Sequence, residues 1–173
     1  FLACLVTVLA STSAMAETHP FNLSLTPDVA VYPRTDKIEG VTLSVWGENE
    51  QTSLAIGIAN GTVGNSAGLS AGWILNYASN YKGIEWAFIN YTKNDFLGWQ
   101  AGLIDYSKDN MMGLQSGVVN YTGRVKGLQF GFVNFTEDAE AGGQIGIINI
   151  IRSNKSWFDD FPNSLAPAMI LVN

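Results

Sequence analysis

The sequence predicts an all-β fold of about ten strands, closed as an up-and-down β-barrel of the outer-membrane type, with a β-solenoid as the alternative. Three observations carry this. A motif of about 15 residues recurs through most of the chain. Each copy alternates in hydrophobicity with period two. The composition is 47% hydrophobic and 12% aromatic but only 14% charged, against roughly 25% charged in an ordinary soluble domain.

The same composition excludes several classes. The chain is too apolar to be disordered. A single cysteine gives neither a disulfide framework nor a thiolate metal site. A net charge of −6 argues against nucleic acid as the main partner.

Taken in order, Phe1 to Ala16 carries no charge, is apolar through Ala10 and ends in Ala14-Met15-Ala16, the small-x-small pattern of a signal-peptidase site. No initiating Met or basic segment precedes it. Residues 1–16 are therefore expected to be a truncated signal peptide, with Cys4 part of the discarded segment, and residues 17–173 a single exported β-repeat domain. Phe21–Thr26 alternates as a strand. Pro27 and Pro33 bound an irregular edge at Asp28–Tyr32. Val41–Trp46 and Leu54–Asn60 are expected to pair as a hairpin across Gly47–Gln51.

From Gly68 the chain reads GLSAGWILNY, GIEWAFINY, GWQAGLIDY, GLQSGVVNY, GLQFGFVNF and GGQIGIINI. The template is Gly-h-Gln-h-Gly-h-h-Asn-aromatic, with h apolar. First glycines fall at Gly68, Gly83, Gly98, Gly113, Gly127 and Gly142, spaced by 15, 15, 15, 14 and 15. In the Gly127 copy one face is Leu128, Phe130, Phe132; the other is Gln129, Gly131, Val133, Phe135. Short polar links such as Thr92–Asp95 and Ser107–Asn110 hold most of the charge. Trp157–Pro162 is an aromatic-acidic loop, and Ala166–Val172 would be a last strand.

Geometry bears on the choice of architecture. Nine extended residues span about 30 Å, and the remaining six cannot return the chain to close a rung unless the strand bends at its central glycine. A meander needs no bend. The apolar face is too large to meet water. It either packs inside a closed sheet or points into lipid with Gln and Gly lining a lumen. Tyr77, Tyr91, Tyr106, Tyr121 and Phe135 at one strand end, and Tyr81, Phe96 and Trp99 toward the other, would form interfacial girdles. Against the barrel, a meander should distinguish up-strands from down-strands, and no 30-residue period is present.

These columns resemble the bacterial surface-repeat proteins first noted in leptospires, and PFNLSLTPDVAVYPRTDKIEGVTLSVWGEN looks like the start of members in other Gram-negative bacteria. The resemblance covers Phe21 to Asn173. It implies an exported surface or outer-membrane protein with no assigned activity. Many members end in an aromatic residue; this sequence stops at Leu171-Val172-Asn173 and is read as cut at both ends. Ala87 for Gly, Glu85 for Gln, Asp105 for Asn and Gly143 for an apolar residue depart from the template without breaking the strand pattern.

No catalytic constellation stands out. His19, the only histidine, sits three residues past the expected cleavage site, where chains fray. Asp159-Asp160 reads as a solvated loop rather than a cation or sugar site. The best functional candidate is the polar column Glu85, Gln100, Gln115, Gln129 and Gln144. It would line a lumen or, as a structural belt, satisfy itself by side-chain hydrogen bonds. Glu85, buried among glutamines, is expected to have a raised pKa. The Asn column places sequons at Asn60, Asn90, Asn120 and Asn134, read as by-products of the repeat. The expected function is that of an exported cell-surface or outer-membrane protein, structural or weakly porin-like, without catalysis or cofactor, with membrane lipid as partner. The alternative is a secreted or surface-attached solenoid that binds a protein or glycan.

Overall fold

The computed structural model describes residues 16–153 and the backbone of 168–172. Residues 1–15, most of the expected signal peptide, and the Trp157–Pro162 loop with Asp159-Asp160 lie outside the described residues. The fold is all-β. It is a solenoid of about eight coils, not a barrel. Eight elements follow one another: β1 (Thr18–Thr26), β2 (Val29–Ala30), β3 (Lys37–Trp86), β4 (Ile89–Thr92), β5 (Phe96–Ala101), β6 (Ile104–Ser116), β7 (Val119–Ile151) and β8 (Ala168–Val172).

The barrel expectation fails on the pairing. An up-and-down meander pairs neighbours antiparallel; here β3, β4, β5, β6 and β7 pair parallel, residue i against i + 15 or i + 14. Tyr81 sits on Phe96 and Phe96 on Met111; Ile89 sits on Ile104 and Ile104 on Val119. Identical copies thus stack on their counterparts, which explains the missing 30-residue period. The expected hairpin fails likewise. Val41–Trp46 and Leu54–Asn60 both lie inside the continuous run β3.

Each coil has two straight segments. In one coil they are β5 and the first four residues of β6. The corner between them falls at the central glycine of the motif, where Gly102 and Leu103 leave the ladder. This is the bend that closing a rung requires. The opposite corner is the polar link, Lys108–Asn110 in that coil.

The first glycine of each copy is fixed by backbone geometry. Gly83, Gly98 and Gly113 have φ of 142°, 139° and 128°, a region that side chains rarely adopt. A Cβ on Gly113 would strike the Gly98 carbonyl oxygen of the coil before.

The ends differ from the middle. β1 pairs parallel with the start of β3 and antiparallel with β2, so the expected irregular edge is a short strand. The His19 imidazole stacks on Tyr32 at 3.6 Å and lies 3.0 Å from Asp36 Oδ2. It anchors the first coil rather than fraying. At the far end β8 runs antiparallel along the last coil, with Ile145 against Val172.

Candidate functional site

The interior is polar. Within the β5 coil the buried side chains are Phe96, Gln100, Asp105 and Ser107. Repetition turns each into a column. One apolar column, Tyr81, Phe96, Met111 and Val125, lies by the charged corner. The remaining three are polar.

The predicted column assembles completely. Glu85, Gln100, Gln115, Gln129 and Gln144 are all buried to within 1%. Gln100 Nε2 donates to Glu85 Oε2 at 2.8 Å and Gln115 Nε2 to Gln100 Oε1 at 2.8 Å. Gln129 Nε2 donates to Gln115 Oε1 at 2.8 Å, and Gln144 Nε2 to Gln129 Oε1 at 2.7 Å. The hydroxyl column faces it across a thin core. Thr92 Oγ1 donates to Glu85 Oε2 at 3.1 Å and Ser107 Oγ to Gln100 Oε1 at 3.0 Å. Side chains fill the interior, so these residues line no lumen. They form the hydrogen-bonded belt, in which only the last acceptor, Gln144 Oε1, is buried without a partner among the described residues.

Asparagines form a second ladder at the inside of the glycine corner. Asn60 donates to Asn76, Asn76 to Asn90, and Asn90 to Asp105, at 3.1, 2.9 and 2.7 Å. Asn120 donates to Asn134 and Asn134 to Asn149, each at 2.7 Å. The sequence reading treats this column only as a by-product of the repeat and misses its ladder. The one clue was a shared 15-residue period with the glutamines. The sequon asparagines 60, 90, 120 and 134 are buried.

Two carboxylates interrupt the ladders. Burial pushes Glu85 up to about 7, against the pull of the Gln100 and Thr92 hydrogen bonds, with repulsion from Asp105 adding to the rise. Burial also pushes Asp105 up to about 7, against the pull of Asn90 and of backbone groups at Ser116 and Gly102. Asp105 Oδ2 and Asn120 Oδ1 are both buried without a hydrogen-bond partner. They flank one point: a Cβ on Gly117 would stand 2.9 Å from the first and 3.0 Å from the second. A proton on Oδ2 is what the ladder lacks there.

The exterior is the reverse of the interior. Trp73, Phe88, Leu103, Val118, Phe132 and Ile147 stack along the glycine corner, and all are exposed, Trp73 at 76%, Phe88 at 61% and Phe132 at 59%. Trp86, Phe130 and Ile145 flank them on one side; Ile89, Ile104, Val119 and Ile148 flank them on the other, also exposed. None of these positions is charged. From Trp73 to Ile147 the edge crosses five inter-coil spacings, roughly 24 Å at about 4.8 Å each. Two shallow clefts of 550 and 610 Å³ lie along it, floored by glycines such as Gly102 and Gly131 and walled by Trp73, Trp86, Phe130 and Phe132.

The opposite corner carries the charge: Lys93, Asp95, Lys108, Asp109, Arg124 and Glu137. Between the two corners runs a tyrosine ladder. Tyr91, Tyr106, Tyr121 and Phe135 stack at centroid distances of 5.4, 4.5 and 5.2 Å. Tyr121 Oη donates to Glu137 at 2.8 Å, so the hydroxyl points to the charged corner. Trp99 stands on the other flank and donates to Ser116 Oγ at 2.7 Å. Tyr81 and Phe96, expected in a girdle, are instead core residues, 2% exposed. The cross-section is therefore amphipathic, with one apolar corner, one charged corner and aromatic flanks.

No protein-family model, curated protein or solved structure matches this chain. No group of three or more metal-ligating side chains occurs among the described residues.

Proposed function

We propose that this chain is an exported, non-catalytic β-solenoid of the cell surface or outer membrane that attaches along its apolar corner to a lipid surface. One observation supports the reading: polar ladders fill the core while an uncharged apolar edge runs along six successive coils. Contiguous exposed apolar patches of more than a few hundred Å² mark interaction sites in soluble proteins. Each exposed Trp or Phe here offers a large share of the 150–250 Å² such a side chain can bury. An amphipathic body with aromatic flanks lies in a bilayer interface by the same physics as an amphipathic helix. The weakly porin-like role falls with the barrel, because the polar column is packed rather than open.

The alternative of a polar partner has one feature in its favour, a 760 Å³ groove by the charged corner lined by Asn80, Asp95, Asn110, Arg124 and Glu140. It would suit a glycan or peptide. Vesicle co-sedimentation decides between the two. The wild-type chain pellets with lipid vesicles and F88D/F132D stays in the supernatant. Unchanged partition of a folded F88D/F132D would defeat the lipid reading.

A further inference from the structure

On the face carrying β5, the column nearest the charged corner reads Lys82, Leu97, Met112, Lys126 in register. All four side chains are exposed. Several neighbouring charged groups bordering that column are engaged: Arg124 lies 3.6 Å from Asp138 and 3.5 Å from Glu140, and Asp95 accepts from Asn110 at 2.6 Å. Lys82 and Lys126 have no ion-pair partner among the described residues. They stand three coils apart, roughly 14 Å at about 4.8 Å per coil, with Leu97 and Met112 between them. The next outward column is Ile84, Trp99, Leu114 and Leu128, followed by the column of Trp86 and Phe130.

Crossing this face thus passes from ammonium groups to an indole to aliphatic and aromatic edge residues. That is the order of layers met on entering a bilayer from its headgroups. Lysine stems lie along apolar surface while their ammonium groups reach outward. We propose that Lys82 and Lys126 form an anionic-headgroup contact, so that the apolar edge docks preferentially on bilayers bearing anionic phospholipid. The inference rests on the lipid-surface reading above. Bulk charge does not supply the preference: the whole chain is −6 and would be repelled by an anionic surface. The surface fits a lipid bilayer rather than a second copy, because its unpaired cations share a face with the apolar edge, two columns away, and none of the three columns holds a carboxylate to meet them.

The test uses the chain with vesicles of phosphatidylcholine alone and of phosphatidylcholine containing phosphatidylglycerol, at low and high salt. The wild type is expected to bind the anionic vesicles more tightly by roughly 30-fold, the contribution of two surface lysines at low ionic strength. High salt should shrink the preference. K82Q/K126Q should keep the wild-type circular dichroism spectrum and its binding to neutral vesicles, and lose most of the preference. Equal wild-type binding to both vesicles, or a preference that survives in K82Q/K126Q, overturns the headgroup contact and leaves the lipid edge standing. No binding to either vesicle, or a stable dimer that keeps its edge from vesicles, overturns the lipid edge itself.

Discussion

Replacing Asp105 with asparagine should make this protein more stable, and the gain should depend on pH. Asp105 occupies a position where the ladder above and below it uses asparagine. Its Oδ1 accepts from Asn90 at 2.7 Å, but its Oδ2 has no hydrogen-bond partner, and neither has Oδ1 of Asn120, its counterpart one coil on. An ionised carboxylate has no hydrogen to give. Burial raises the carboxyl from 3.8 to about 7. The folded pKa therefore lies above the unfolded one. Below pH ~4 both states are protonated and the site costs nothing. As pH climbs toward 7 the unfolded chain ionises first, and stability falls. At 1.36 kcal/mol per pH unit, the loss reaches roughly 4 kcal/mol at pH 7 and above. Asparagine removes that cost and supplies an Nδ2 donor to Asn120. D105N should therefore gain roughly 4 kcal/mol near pH 7.5 and little near pH 4. Thermal unfolding followed by circular dichroism at both pH values reads this out, as a rise of about 10 °C at the higher pH. A D105N variant no more stable at pH 7.5 than at pH 4, relative to wild type, would refute the reasoning.

Further expectations follow from the ladders and the edge. Q115L removes one of two partners from Gln100 Oε1, which keeps the Ser107 hydroxyl, and from Gln129 Nε2, which keeps the Phe135 carbonyl; urea unfolding should show a loss of roughly 1–3 kcal/mol, and a neutral substitution would mean that the ladder adds no stability. G113A forces a side chain to a φ of 128° and into the Gly98 carbonyl; a loss of at least about 2 kcal/mol is expected, and wild-type stability would contradict the backbone account.

Much of this architecture is legible in the sequence. The period, the all-β class and the opposition of Gln129 to Leu128 and Phe130 survive in the structure; the expected nine-residue strands do not, being broken at central glycines such as Gly102 and Gly117. The closure is where reading by alternation fails. Val118 and Val119 are consecutive yet both exposed, because the chain turns a corner after Gly117 and the alternation restarts with Asn120 inside. Period-two logic cannot register such a corner, since glycine fits a strand and a bend equally. What decides for the coil is chemical. Each glutamine donates to its counterpart one repeat before, at 2.8 Å for Gln129 on Gln115, and the backbone register that places them so is parallel, which a meander does not offer. Glu85 and the four glutamines were identified as a set; the Asn120–Asp105 gap was not, because it depends on which rotamer each amide adopts in the core.

The account turns on the apolar edge meeting lipid while the charged corner stays in water. An environment-sensitive fluorophore placed on a cysteine at Phe132 in one variant, and at Asp109 in another, tests this most directly. With vesicles added, the label at 132 should shift to the blue and become shielded from an aqueous quencher, while the label at 109 stays unshifted and quenchable. Labels that both remain in water, or that both become shielded, would contradict it.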